Sequence, residues 1–149
     1  MRQFQHEFQV NSPISRVAEF HSSTRALSLL TPPPMFIRFN QIEPLGENSR
    51  SDFTMWLGPI PIRWLAVHSE VDPMQGFTDT QVEGPFRTWI HRHSFQSLSD
   101  EKTRVIDDIK GQPSNHFFWG IISRFMWLTL PLLFSYRERQ TKKAVEGEK

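Results

Sequence analysis

The chain contains no cysteine. Disulfides, thiolate nucleophiles and cysteine-ligated zinc are therefore excluded, and redox compartment leaves no mark on the sequence. One tyrosine stands against 13 phenylalanines and five tryptophans, so the aromatic interior carries few phenol hydroxyls. An excess of either charge is missing too. The net charge is +1 over 149 residues, and the basic residues form no block beyond a small cluster near the C-terminus. No field selects nucleic acid or acidic partners. The N-terminal stretch MRQFQHEFQV alternates and has no apolar h-region. No secretory signal is read there, and a cytoplasmic location is the expectation. There is no HExxH spacing, internal repeat or low-complexity linker. The length suits one domain spanning residues 1–149, long enough to bury a core or enclose a pocket.

What is present is a regular punctuation of apolar runs. Arg2 to Val10 places Phe4, His6, Phe8 and Val10 on one face, the mark of a strand. Asn11-Ser12-Pro13 reads as a helix start, with Asn11 or Ser12 as cap. Val17, Phe20 and His21 continue a helical stripe, which Ser22-Ser23-Thr24 interrupts. A second short helix over Thr24 to Leu30 stops at Pro32-Pro33-Pro34. Six strands follow: Met35 to Pro44, Ser51 to Leu57, Ile60 to Val71, Phe77 to Glu83, Phe86 to Leu98 and Thr103 to Ile109. The short turns between them, Gly58-Pro59, Asp72-Pro73, Gly84-Pro85 and Ser99-Asp100-Glu101, predict an antiparallel meander. Asn115 to about Ala144 then predicts one helix of roughly 30 residues, about 45 Å long, kinked about one turn before Pro131.

The segment Gly76 to Phe95, GFTDTQVEGPFRTWIHRHSF, is the most unusual. One face carries Phe77, Asp79 and Gln81. After the turn, one face carries Trp89, His91, His93 and Phe95. Aromatics mixed with proton donors and acceptors suit the wall of a cavity that orients a mostly apolar ligand. His91 and His93 admit three readings: a buried pair bonded to Asp107 or Gln81, a polar anchor or acid/base group, and a metal site completed by Asp79, Asp107, His6 or His68. Too few ligands converge in the sequence for the third, and no tightly bound metal is expected. Asp107 is expected inward, because Thr103, Val105 and Ile109 share its face. Asp79 and Gln81 can face either way. Phe53, Met55 and Leu57 form an interior face continued by Trp64, Ala66 and His68, which leaves Trp56 exposed or under a neighbouring chain.

The apolar run Phe117 to Phe134 is about 18 residues long and holds Arg124 and Pro131. An uncharged stretch of about 20 is the usual membrane span, and a central arginine costs about 2.5–3.5 kcal/mol on insertion. No transmembrane span is read. An interior helix is expected, with Phe117, Ile121 and Phe125 lining the cavity and its outer side meeting a second copy of the chain or a lipid surface.

This order of strand, two short helices, six-strand meander and long helix resembles the START-like or SRPBCC superfamily, the birch-pollen-allergen-like helix-grip fold. The residues that carry the resemblance are LTPPP at Leu30 to Pro34, LGPIPIRW at Leu57 to Trp64, Gly76 to Phe95 as above, TRVIDDI at Thr103 to Ile109, and LLFSYRERQT at Leu132 to Thr141. They are most similar to the bacterial ligand-binding and polyketide cyclase/dehydrase-like branch. The resemblance implies an α+β fold in which a curved antiparallel sheet of about seven strands wraps a long C-terminal helix and leaves a cavity. It implies binding of a small apolar molecule of polyketide, quinone, fatty acyl or isoprenoid type, with no cofactor. On this reading the wall residues are Phe53, Met55, Trp64, Phe77, Gln81, Trp89, His91, His93, Phe95, Asp107, Phe117, Ile121 and Phe125. The alternatives are a cyclase or dehydratase using His91, His93 and Asp107, and a lipid-surface protein. No catalytic motif is carried over, because the superfamily hosts many activities.

Overall fold

The computed structural model describes residues 1–146. A strand β1 (Arg2–Val10) leads into helices α1 (Ile14–Ser22) and α2 (Thr24–Leu29). The meander follows as β2 (Phe36–Ile42), β3 (Arg50–Leu57), β4 (Ile60–Asp72), β5 (Gly76–Glu83), β6 (Phe86–Ser99) and β7 (Lys102–Pro113). Helices α3 (Phe117–Leu128) and α4 (Leu130–Glu146) close the chain. All seven strands form one antiparallel sheet in the order β1-β7-β6-β5-β4-β3-β2. Each meander strand lies beside its sequence neighbour, as short turns require. The two short helices carry the chain from one edge of the sheet to the other.

The fold is therefore the α+β helix-grip arrangement expected from the order of elements. Register shifts in β2 near Asn40, in β4 on both sides of His68 and in β6 bend the strands, so the sheet curves. Gly76 opens β5 at φ 130°, where a Cβ would meet the His93 carbonyl oxygen at 1.9 Å, so only glycine fits. On β7 the alternation is clean: Thr103, Val105, Asp107, Ile109 and Gly111 are buried.

The C-terminal region departs from the single helix expected. It breaks at Thr129 into two helices bent by 54°. Pro131 sits in the first turn of α4, where its missing N–H has no intrahelical partner to lose, so a new helix begins there rather than a kink forming inside one. The α1 start also differs. Pro13 itself is the cap residue and no side chain caps the helix, while Ser12 is buried. Trp56 is half-buried, stacked on Phe36 at 6.1 Å.

The core has two parts. Phe8, Val10, Val17, Ala18, Phe77, Phe95, Val105 and Val145 join the sheet to α1 and the end of α4. Phe53, Trp64, Ala66, Phe86, Trp89, Ile109, Leu130 and Phe134 join it to the start of α4. Trp127 lies against Gly111, where a Cβ would come within 2.8 Å of the indole. Among the described residues no single helix is long and apolar enough to cross a membrane; α3 and α4 pass that test only as a bent pair, by length and composition.

Ile122, Leu130, Phe134 and Val145 are all buried on the two C-terminal helices. Each such side chain contributes about 1.5–3 kcal/mol, and together they rival a domain's net stability of about 5–15 kcal/mol. A chain ending at Pro113 should lose its cooperative urea transition and bind a hydrophobic dye. A soluble, cooperatively unfolding truncation would contradict this account of the fold.

Candidate functional site

Between the concave face of the sheet and the helices lies a cavity of about 860 Å³. Its apolar wall includes Phe53, Met55, Ile62, Trp64, Ala66, Phe77 and Trp89 from the sheet, and Leu27, Leu30, Leu130 and Phe134 from the helices. Phe53 and Trp64 stack at 6.3 Å, and Trp64 meets Trp89 edge-on at 5.3 Å. The lining reaches the surface at Phe39, Phe125, Leu132 and Arg139, which form the mouth.

One region of this wall is polar. Asp79 on β5 is cross-strand partner to His91 on β6, and His93 on β6 is partner to Asp107 on β7. The hydrogen bonds run diagonally instead. His91 Nε2 donates to Asp107 Oδ1 at 2.8 Å, and His93 Nε2 donates to Asp79 Oδ2 at 2.7 Å. Diagonal neighbours in a sheet are within reach of side chains this long. The two imidazoles stack at 3.7 Å, and Phe77 continues the stack on His93 at 4.3 Å. His68 stands nearby, with Nδ1 2.9 Å from the Ser49 hydroxyl.

Burial sets the charges. It would raise both carboxyls, but for Asp79 the bond from His93, and for Asp107 the bond from His91, bring each down to about 2. His93 is lowered to about 4, first by burial and then by its neighbour His91, against the pull of Asp79. At neutral pH His93 is thus an uncharged donor to a carboxylate. Two further groups face the cavity from the helices. His21 on α1 has Nδ1 2.9 Å from the Val17 carbonyl, and burial lowers its pKa. Arg137 on α4 donates Nε–H to the Leu30 carbonyl at 3.1 Å and lies over the Phe134 ring at 5.2 Å. Burial lowers its pKa as well, against the fields of Asp107 and Asp79.

Of the residues expected from sequence, Phe53, Met55, Trp64, Phe77, Trp89, His91, His93 and Phe125 line the cavity, and Asp79 joins them. Five do not. Asp107 is buried on the concave side but lies outside the lining, held by His91. Phe95 packs into the first core cluster, its ring 4.8 Å from His21. Gln81 is spent on the turn: its amide bonds both the carbonyl and the N–H of Phe86 across Gly84-Pro85. Phe117 and Ile121 are 84% and 56% exposed, because the bend at Thr129 turns that face of α3 outward.

His21 and Arg137 were not singled out as site residues, yet a signal exists for each. His21 follows Val17 at i+4 on the buried stripe of α1. Leu130, Phe134, Thr141 and Val145 are buried on α4, and Arg137 falls in the same stripe. A charge in an apolar stripe needs partners, which Arg137 finds in the Leu30 carbonyl and the Phe134 ring.

Asp79, His91 and His93 offer ligand atoms that all lie within 4.8 Å of one another. Imidazole lone pairs lie in the ring plane. Rings stacked at 3.7 Å with 24° between planes aim those lone pairs side by side rather than at a common point. Each Nε2 proton is also already given to a carboxylate. The arrangement fits a hydrogen-bonded chain better than a metal centre.

No protein-family model matches the chain, and no curated protein does. Solved structures do match. A protein from Thermus thermophilus superposes with a TM-score of 0.74 at 16% identity, over 98% of both chains. The Zhui aromatase/cyclase from Streptomyces gives 0.70 at 16% identity, covering 99% of this chain and 92% of that one. Norcoclaurine synthase from Thalictrum flavum, in complex with dopamine and hydroxybenzaldehyde, gives 0.68 at 16% identity over 99% and 88%. At these identities the likeness is one of fold, the α+β helix-grip arrangement described above.

The depressed pKa values carry a stability consequence of one sign. Unfolded, His93 binds its proton near 6.5, and folded only near 4. The unfolded chain therefore holds more protons between those limits, and stability falls as pH drops through them, by about 3 kcal/mol from this group. Asp79 and Asp107 extend the loss from about 3.8 down to about 2. Urea midpoints should decline from pH 7 to pH 4, while the His93 ring resonances stay those of a neutral imidazole until about pH 4. A His93 ring that protonates near 6.5, with urea midpoints flat down to pH 4, would contradict this electrostatic picture.

Proposed function

We propose that the chain binds a small, mostly apolar molecule in the cavity between sheet and helices. The observation that carries this reading is an 860 Å³ space with aromatic walls and a few placed polar groups. Ligand pockets run to about 300–1,000 Å³ with a few placed polar groups. Polyketide, quinone, fatty acyl and isoprenoid compounds all combine an extended apolar body with few oxygens, and all fit that description. Structures of the same fold support it: one is an aromatase/cyclase, and another holds two small aromatic compounds. A cyclase or dehydratase using the same cavity is the alternative, favoured by the two aspartate–histidine pairs. On either reading the cavity acts first by excluding water and holding the chain of the ligand folded.

A second observation favours contact with a lipid surface. Phe117, Phe118, Ile121, Phe125, Leu128 and Leu132 are exposed along one side of α3 and over the bend. This stripe is continuous with the cavity mouth at Phe125 and Leu132. No aspartate or glutamate occurs between Gly111 and Arg137, while Arg124 and Arg139 are exposed beside the stripe. An apolar face with a basic flank and no acid suits an anionic bilayer, from which an apolar ligand could pass directly to the mouth.

Two experiments test these readings. Mass spectrometry of the folded protein should reveal a co-purifying apolar compound, and Ala66→Phe, which places a ring in the cavity, should lower its retention at least tenfold. Retention unchanged in a folded Ala66→Phe protein would place the ligand elsewhere. Wild type should co-sediment with phosphatidylglycerol vesicles more than with phosphatidylcholine vesicles, and Ile121→Glu with Leu132→Glu should abolish it. A concentration-dependent dimer lost with the same substitutions, without vesicle binding, would assign the stripe to a second copy of the chain.

A further inference from the structure

His21 and Arg137 approach the same cavity from α1 and α4, opposite the sheet. A backbone carbonyl can only accept, so the 2.9 Å contact from His21 to Val17 fixes the proton on Nδ1. In the neutral ring Nε2 is then a bare lone pair. Among the described residues Nε2 has no hydrogen-bond partner, and the ring lines the cavity. Arg137 shows the complementary feature. Its Nε is bonded to Leu30, and neither Nη bonds any other described residue. The residue is half-buried and lines the cavity, and its Nη atoms are not sealed in, so four N–H groups are open to an acceptor there.

The sheet histidines are less free. Both have committed Nε2 to a carboxylate, and each blocks a face of the other. The second nitrogen of His93 faces Asp107 Oδ1 at 3.5 Å. His91 is enclosed by His93, Trp89 and Phe134, and its side chain is 4% exposed. His21 is half-buried and open to the cavity.

We infer that His21 and Arg137 are a base and an oxygen-binding group that together enolise a carbonyl ligand. This rests on the cavity being the ligand site and deepens its cyclase/dehydratase alternative, with different residues in the working roles. Arg137 donates from Nη to the carbonyl oxygen. His21 Nε2 takes a proton from the adjacent carbon. The C–H bond breaks, its electron pair forms the carbon–carbon double bond, and the carbonyl π pair moves onto oxygen, where the guanidinium stabilises it. Burial, Arg137 and His91 disfavour the imidazolium formed, while the Val17 carbonyl and the Asp107 carboxylate favour it. Return of the proton from His21 to carbon regenerates the carbonyl, so no oxidant or co-reactant is needed. The ligand class is an aryl or conjugated ketone with at least one hydrogen on the adjacent carbon.

The test uses 2-tetralone, a bicyclic aryl-fused ketone, with exchange of its α-hydrogens in D₂O followed by proton NMR. Binding is followed separately through quenching of Trp64 and Trp89 fluorescence. Wild type should bind the ketone and accelerate exchange over buffer. His21→Phe and Arg137→Met should each lower the accelerated rate at least tenfold while the ketone still quenches fluorescence. His21→Gln serves as a second variant if the phenylalanine disturbs α1, as judged by thermal melting. Quenching with exchange at the buffer rate would overturn the base assignment and leave the cavity reading standing. Exchange that persists in both variants would overturn it in favour of another base. Absence of quenching and exchange alike would overturn both readings.

Discussion

Two carboxylates stand in the middle of a largely aromatic and aliphatic sheet face, and each is held by a histidine one rung away from the residue it opposes. An unpaired buried carboxylate is among the most costly groups a protein can hold. Asp79 and Asp107 avoid that cost only if β5, β6 and β7 keep their observed alignment. A slip of one residue on β7 would send Asp107 to solvent and bring Asp108 inward, away from both imidazoles. The diagonal pairs thus act as a register lock on the three central strands. They also divide the interior. Val105 and Phe95 lie on one side of the polar row, with Ile109 and Trp89 on the other. The cavity wall draws mainly on the second of these regions, with Phe77 contributed by the first.

The break at Thr129 has a comparable organising effect on the helical side. A straight helix of that length would lie along one direction of a sheet that curves. Two segments at 54° allow α3 to lean on β6 and β7 through Trp127 and Gly111, while α4 runs beside β1. Glu138 then reaches His6 at 2.8 Å, and Phe134 reaches Phe4 at 5.5 Å. The same bend opens the wall between the helices and the α2–β2 connection. It turns Phe117 and Ile121 away from the interior and leaves Phe125 at the rim.

Much of this was legible from pattern. The strands were readable because their turns carry Gly-Pro, Asp-Pro or charged dipeptides, and the inward placement of Asp107 followed from Thr103, Val105 and Ile109. The pairing of His91 with Asp107 was among the partners expected. The pairing of His93 with Asp79 was not, because a diagonal bond depends on which strands are neighbours and how they are offset. Gln81 was misread for a related reason: period two says which way a side chain starts, not that a nearby turn will claim its amide. Phe117 and Ile121 failed because helical periodicity was carried through a break that only the packing of Trp127 and Leu130 against the sheet locates. His21 and Arg137 belong to stripes visible in the sequence, yet their convergence from two helices far apart in the chain is a property of the fold.

One consequence concerns the space itself rather than its walls. The sheet wall of the cavity carries the Asp79 carboxylate and a neutral imidazole, with the Asp107 carboxylate outside the lining and bonded to His91, and the helix side carries a guanidinium. Opposite charges on facing walls set up an electric field across the gap. A molecule with a permanent dipole is turned by such a field, oxygen end toward α4, before any hydrogen bond can form. A conjugated guest would register the same field in its electronic spectrum, because excitation moves charge along the field axis. Such a field would sort any guest of the cavity by polarity and direction as well as by shape.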